Sequence, residues 1–341
     1  MRKLICAAGC MIAVAFSPAH AETTVLFNLF APPSSPTVSK VMAPWLKDIE
    51  RVTEGRVKIK VPPQSMASPP EQLNMVVTGV ADGAYQLNAF QQKAHPLLQI
   101  SFLPGIMASG RANGVALWRT YQKFFAPKRP FKKVHLLGFF ATPAAYLYSM
   151  SKTPIQSIAQ LKGKKMWSSP GIAAQAMGLA GATVVPGPAV RMYEIISKGV
   201  VDDFCCVEYG DLKAFKVLQF AKSITVVKGG VLAPAFSVFI SNAKWAQISP
   251  KDRAAIMKIS GEALARRAAG IDQHSKEVVD EYIAHGGIVE KAKPAFNAEL
   301  AKVWKPLYDQ WVASANKQGV DGKAAFAYFK DQVKEVQAEQ H

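Results

Sequence analysis

Apolar residues recur along this chain with two alternating spacings, one suited to strands and one to helices. "TTVLFNLF" at 23–30 is an apolar run of strand length, and 37–54 places Val41, Trp45, Ile49 and Val52 at helical spacing before Gly55 closes the segment. "RVKIKV" at 56–61 alternates as a second strand. "SPPE" at 68–71 supplies a serine N-cap, a proline start and Glu71 at the capping-box position of a helix directed toward Gly79; "GAYQLNAF" at 83–90 is the next strand. This β-α-β-α-β order predicts a parallel-rich sheet with helices on both faces. The rhythm restarts after Pro130, with "KKVHLLGFF", "AAYLYSM" and "KKMWSS" as strands and helices at about 171–180 and 189–198. Two α/β units in one chain predict two lobes with a cleft between them. From Ser249 the period becomes helical throughout. "SPKD" caps a segment whose Ile256, Ile259, Ala263, Leu264, Ile271, Val278 and Tyr282 keep one apolar face until Gly286 and Gly287. Read as one helix from Pro250 to His285, it would extend about 50 Å and lean on both lobes. "NAELAKVWKPLYDQWV" and "FAYFKDQVKEV" continue as helices.

The first 21 residues are a different object. Arg2 and Lys3 precede an apolar run from Leu4 to Phe16, and "AHA" at 19–21 is a small-x-small cleavage site, so 1–21 reads as a signal peptide cleaved after Ala21. "AAGC" half resembles a lipobox, but Ala7 replaces the usual leucine and the apolar run continues past Cys10, which argues against lipidation. No later stretch reaches the ~20 apolar residues of a membrane span. The mature product is expected to be exported to the periplasm and soluble.

Losing Arg2 and Lys3 lowers the formal net charge of +17 by two. The remaining lysines are dispersed, with no basic arm, zinc spacing or recognition-helix pattern, so a nucleic-acid partner is not expected. Cys6 and Cys10 leave with the leader, and the adjacent Cys205 and Cys206 cannot staple distant segments. Two buried apolar thiols are favoured there over a strained vicinal disulfide. There is no G-x-S-x-G, H-E-x-x-H or C-x-x-C, and no two of His95, His135, His274, His285 and His341 have helical metal-ligand spacing. No catalytic residue, metal or cofactor is assigned, and an enzyme is not expected; an adhesion module is a further class to test against.

Several fragments in order carry a resemblance: "WLKDIERVTEGRVKIKVPPQSMASPPEQLNMVVTGVADGAYQLNAF", "FLPG", "TPIQSIAQLKGKKMW", "YEIISKGVVDD" and "FSVFISNAKWAQISPKD". Together they resemble the periplasmic solute-binding proteins of TRAP transporters, the dicarboxylate-binding (DctP-type) family. The resemblance implies a two-lobed α/β periplasmic binding protein, type II-like, with a long hinge-spanning helix. It implies capture of a small organic solute in the interlobe cleft and delivery to TRAP permease membrane subunits without an ATPase; the receptor is expected to be a monomer. Lobe 1 would comprise 22–143 with about 231–272, lobe 2 144–230 with about 273–305, and 306–341 would be C-terminal helices packing across both.

The chain departs from that family where the family holds its ligand. Lys162, Gly163, Lys165 and Met166 fit the signature Lys-Gly-x-Lys-apolar-Arg, but Trp167 stands at the arginine position. An indole has one N–H donor and no charge, so it cannot reproduce a bidentate arginine–carboxylate contact; it can offer an apolar wall, one hydrogen bond or a face for a cation. Where some members carry a second arginine, this chain has Tyr146, Leu147 and Tyr148; where the family has Gly-Val-Val-Asp-Gly-x-Glu-Asn, it has "GVVDDFCCVE". The expected ligand-binding residues are therefore Trp167, Asn28, Asn88, Tyr146, Tyr148, Ser168, Cys206 and Glu208, and the usual arginine–carboxylate pair is not expected. Three ligand chemistries stay open: a cation caged by Trp167 and a tyrosine with Glu208 as counter-charge, a neutral alcohol or aromatic solute, or a carboxylate held at the helix N-terminus after "SSPG" by Ser168, Ser169 and backbone N–H groups. Against these stand plainer readings: Trp167, Phe30 and Phe90 as core, Asn28 and Asn88 as loop caps, Glu208 and Asp211 as surface charges.

Overall fold

The computed structural model describes residues 22–339; the expected signal peptide, residues 1–21, lies outside the described residues. Strands β1 (Thr23–Asn28), β2 (Val57–Lys60), β3 (Gly83–Leu87) and β4 (Val134–Ala141) belong to a first sheet. Strands β5 (Leu147–Ser149), β6 (Lys165–Ser168), β7 (Thr183–Pro186), β8 (Asp203–Cys205) and β9 (Ser223–Val226) belong to a second, while β10 (Ala235–Ser241) returns to the first and β11 (Ile288–Lys291) to the second. The orders are β2-β1-β3-β10-β4 and β11-β9-β5-β8-β6-β7. Each sheet is parallel apart from the strand that enters from the other lobe: β10 runs antiparallel to β3 and β4, and β5 antiparallel to β8 and β9. The two-lobed α/β class read from the sequence holds. The sequence reading did not pick out β7 to β11 or the helix Gly110–Thr120. Most of those strands are three or four residues long, too short for a period to show, and β10 is buried along nearly its whole length, which erases alternation.

Three segments carry the chain between lobes. The first two follow β4 and β9 and run side by side: the Ala145 N–H donates to the Leu232 carbonyl (2.7 Å), and the Val231 N–H to the Ala145 carbonyl (2.8 Å). Gly229 and Gly230 both sit at φ +69°, and the "FLPG" loop lies against them, so a Cβ on Gly229 would fall 2.3 Å from the Gly105 backbone. Only glycine accommodates that approach.

The third crossing corrects the expected single helix from Pro250 to His285. It is three helices, Pro250–Lys258, Glu262–Arg266 and Ala269–Ala284. Gly261 makes the break at φ +55°, its N–H donating to the Leu137 carbonyl of β4 (2.8 Å), and a Cβ there would lie 2.7 Å from the Trp118 ring. The apolar face survives the break, so periodicity alone did not reveal it. Ala269–Ala284 is the hinge-spanning helix. Its Asp272 accepts the Gly110 and Arg111 N–H groups at the start of a first-lobe helix, and Ser275, three residues on, donates to Glu208 of the second lobe. Residues spaced i, i+3 share a helix face, so one face of one helix holds both lobes. The helix Pro294–Lys317 adds a second strap: its 24 residues extend about 36 Å, with the Trp304 indole N–H on the Ala176 carbonyl (3.0 Å) and that of Trp311 on the Leu97 carbonyl (3.2 Å).

Gly261→Ala should destabilise the protein by about 2 kcal/mol or more in urea unfolding, because it adds backbone strain and a clash with Trp118. A variant as stable as the parent would show that the break does not depend on glycine.

Candidate ligand-binding site

Between the lobes lies a narrow, partly enclosed cavity of about 50 Å³, below the usual range for small-molecule sites, so a ring-sized solute requires the lobes to part. Wider grooves on the outer surface open to solvent; this one is walled by both lobes. Phe30, Phe90 and Phe236 from the first lobe and Phe215 from the second make its apolar wall. Phe30 stacks on Tyr85 with centroids 4.5 Å apart, and Phe236 on Phe140 at 4.8 Å, so buried rings fix both side chains from behind.

The polar part is small. Ser35 and Thr37 lie at the start of the helical stretch that runs through Thr37–Met42 into Ala43–Val52, and Asp211 faces them from the first turn of Tyr209–Ala214. The Ser35 hydroxyl donates to Asp211 Oδ1 across the seam (2.6 Å) and lies 2.8 Å from Thr37 Oγ1. Gly210 permits this approach, since a Cβ there would stand 2.7 Å from Pro36 Cγ and 2.8 Å from the His274 ring. Among the described residues, no lysine, arginine or histidine lines the cavity. Arg191, one residue from the wall, is exposed and points to Glu194 (3.5 Å). Among the described residues, Asp211 is the lining's one ionisable side chain.

Burial raises the pKa of Glu208 and of Asp211 above the ordinary carboxylate range; the Asp211 charge adds to the effect on Glu208, while the Ser35 hydrogen bond partly offsets it for Asp211. Both carboxyls are buried, which corrects their reading as surface charges. Their tasks differ. Glu208 is the N-cap of Tyr209–Ala214, accepting the Gly210 (2.7 Å) and Asp211 (2.6 Å) N–H groups and the Ser275 hydroxyl. Asp211 turns to the cavity.

None of the eight expected ligand residues is on the lining, and each absence has a physical reason. Trp167 is 0% exposed in the second lobe's core among Tyr148, Met192 and Phe204. It is a layer behind the wall, its indole nitrogen 3.4 Å from where a Cβ on the lining residue Gly187 would be. Asn28 ties down the loop before the second helix: its amide donates to Gln72 Oε1 (2.7 Å) and Ser65 Oγ (3.1 Å) and accepts the Met66 N–H (2.9 Å). Asn88 accepts the Ser237 hydroxyl, joining β3's end to β10. Tyr148 is core, its hydroxyl on the Val207 carbonyl (2.6 Å), and Tyr146 packs on Tyr209 at 5.8 Å. The Ser168 hydroxyl bonds the Ser169 carbonyl (3.0 Å) and Cys206 Sγ (3.6 Å), so it is not free to hold a carboxylate. Cys206 is bonded to Cys205 as a vicinal disulfide, which corrects the two-thiol reading, and it lies behind Val207. The wall is instead supplied by near neighbours: Phe30, Leu87, Phe90, Ser169, Val207 and Asp211. Phe30 and Phe90, read as core candidates, were the legible signal: large apolar residues just beyond strand carboxyl ends, where α/β sheets open.

Comparison with known proteins adds relatives to this geometry. Residues 27–315 match the family described as bacterial extracellular solute-binding protein, family 7. A relative described as the outer membrane transporter protein TsaT of Comamonas testosteroni is 36% identical over 331 residues, covering 97% of this chain and 98% of that protein. The crystal structure of a TRAP periplasmic solute binding protein from Bordetella bronchiseptica with bound (R)- and (S)-mandelate matches with a TM-score of 0.86 at 26% identity, over 92% of this chain and 99% of that one. A marine metagenome TRAP solute binding protein in complex with 3-hydroxybenzoate shares the fold, with a TM-score of 0.84 at 24% identity over 93% and 99% of the two chains.

Two outcomes are expected. Trp167→Ala should cost about 3–5 kcal/mol of stability in the unliganded protein, the loss characteristic of core tryptophan; a much smaller loss would return the residue to the wall. Carboxyls whose pKa is raised on folding stabilise the native state at low pH, and that contribution is lost as pH rises through the folded value. The melting temperature of Asp211→Asn should therefore gain on that of the parent as pH rises from about 4 to about 6 and hold its lead above that. A constant difference across that range would show that Asp211 is not held in a charge-hostile site.

Proposed function

The chain belongs to the bacterial extracellular solute-binding proteins of family 7, the periplasmic receptors of TRAP transporters, and from that premise we propose that it captures a compact ring-bearing solute in the interlobe cavity and hands it to the membrane permease. The observation that carries this reading is the wall of Phe30, Phe90, Phe215 and Phe236 around one small polar corner. An aromatic body buries well against four rings, and hydroxyl and carboxyl groups at one end fix its direction. The Bordetella receptor bound to mandelate offers a parallel in the ring. The parallel stops at the acid, since this cavity has no cationic side chain.

The reading assigns 22–143 with about 231–272 to one lobe, 144–230 with about 273–305 to the other, and 306–341 across both, the two sheets dividing the strands that way. The protein acts as a monomer, after cleavage following Ala21, and returns its solute unchanged; closure of the lobes, not chemistry, is its working step.

Thermal melts against a panel of monocyclic aromatic solutes and aliphatic diacids test this. A ring-bearing solute at a hundred times its Kd should stabilise the protein by about 2.7 kcal/mol, while aliphatic diacids leave the melt unchanged. Native mass spectrometry of protein from its own periplasm should show a mass starting at Glu22 and an adduct that chromatography identifies as a ring compound. A diacid adduct, or stabilisation by diacids alone, overturns the reading.

A further inference from the structure

A receptor's specificity lies in the few polar groups that its ligand must satisfy, because leaving them unpaired inside a closed cavity is costly. Among the described residues the polar side chains on the lining are Ser35, Thr37, Ser169 and Asp211, of which the last alone can carry charge, while the unpartnered Trp167 indole N–H lies just behind Gly187. Ser169 donates its hydroxyl to the Cys206 carbonyl (3.3 Å). Ser35 donates to Asp211, and Thr37 is shared between Ser35 and Tyr85. The Asp211 carboxyl can accept about four hydrogen bonds, and Ser35 Oγ is the one side-chain donor bonded to it among the described residues.

We infer that Asp211 determines the class of solute: an apolar ring carrying an N–H or O–H donor, ammonium or hydroxyl, that the carboxyl accepts beside Ser35. This rests on the receptor reading above and narrows it. Three features converge on donors over carboxylates. Among the described residues no positive side chain stands in the wall to neutralise an anion, and Arg191, next to the lining residue Val190, is turned to Glu194. A ligand carboxylate would meet the oxygens of Asp211 with the Glu208 carboxyl close behind. The four phenylalanine side chains of the lining can bury a donor's apolar body, and aromatic rings also attract a cation.

Three near-isosteric probes separate the classes: benzylamine, benzyl alcohol and benzoate, titrated calorimetrically into the mature protein and into Asp211→Asn. Benzylamine or benzyl alcohol should bind the parent at least about ten-fold more tightly than benzoate, and Asp211→Asn should weaken the amine by about ten-fold or more. The alcohol should be weakened less, because Asn still offers an oxygen acceptor. The substitution removes a buried charge, so the variant should fold, and its melt in the absence of probe checks that directly. Asp211→Leu, which removes the acceptor, should weaken both donor probes. Benzoate binding best, with Asp211→Asn unchanged or improved, overturns the inference and leaves the receptor reading standing. Silence from all three probes also overturns it; the receptor reading falls with it only if native mass spectrometry finds no solute in the purified protein.

Discussion

One contact organises the centre of this molecule: a serine hydroxyl at the start of a first-lobe helix donates to a buried carboxyl on the second lobe. A carboxylate taken out of water needs a counter-charge or several donors. Ser35 supplies one donor, and the nearest other acid, Glu208, raises the cost instead of offsetting it. The surroundings are shaped to hold this arrangement. Gly210 removes the side chain that would keep Pro36 away, Glu208 closes the helix start on which Asp211 stands, and Ser275 of the hinge-spanning helix secures Glu208 in turn. The polar corner is thus tied through three hydrogen-bonded steps to the element that links the lobes.

That coupling explains why the helix break at Gly261 matters. A single rigid rod from Pro250 would have to satisfy the first lobe's β4 and the second lobe's helix starts with one axis. Broken, the segment lets Glu262–Arg266 follow the first lobe, with Glu262 on Arg119, while Ala269–Ala284 takes its own direction to place Asp272 and Ser275. The two side-by-side crossings at Ala145 and Leu232 hold a short antiparallel pairing with glycines at its edge, the kind of place where a few backbone angles can absorb a rotation.

The sequence revealed the repeated α/β units, the leading strands, the long C-terminal helices and the family, because long periodic segments and ordered fragments survive in one dimension. The eight residues expected at the site are absent from this cavity's lining. Asn28, Asn88, Ser168, Cys206 and Glu208 are chemically expressive residues at strand or helix ends, and each does a structural job there, while a neighbour faces the cavity. Side chains near a strand end alternate between faces, so a shift of one residue exchanges wall for core. Trp167 shows the same thing. Met166 joins the core on one side of β6 and Trp167 the core on the other, where the ring fills space behind Gly187. The departure from Lys-Gly-x-Lys-apolar-Arg puts a tryptophan where the family signature has arginine, and that ring lies behind Gly187 and not on the lining.

Losing the guanidinium changes what closure has to accomplish. In an arginine-based site the solute's charge completes a pair that neither lobe could form alone. Here the second lobe brings its own negative group to the seam, and the first meets it with a hydroxyl, a contact worth only a modest net free energy. A strong protein–protein pair at that point would hold the lobes together regardless of solute and leave little differential affinity to drive the population. A weak one leaves the carboxyl short of donors, so a solute that supplies them gains more in the closed form than in the open one. On the reading proposed above, the incompleteness of the Ser35–Asp211 contact is what would let the cavity respond to its contents.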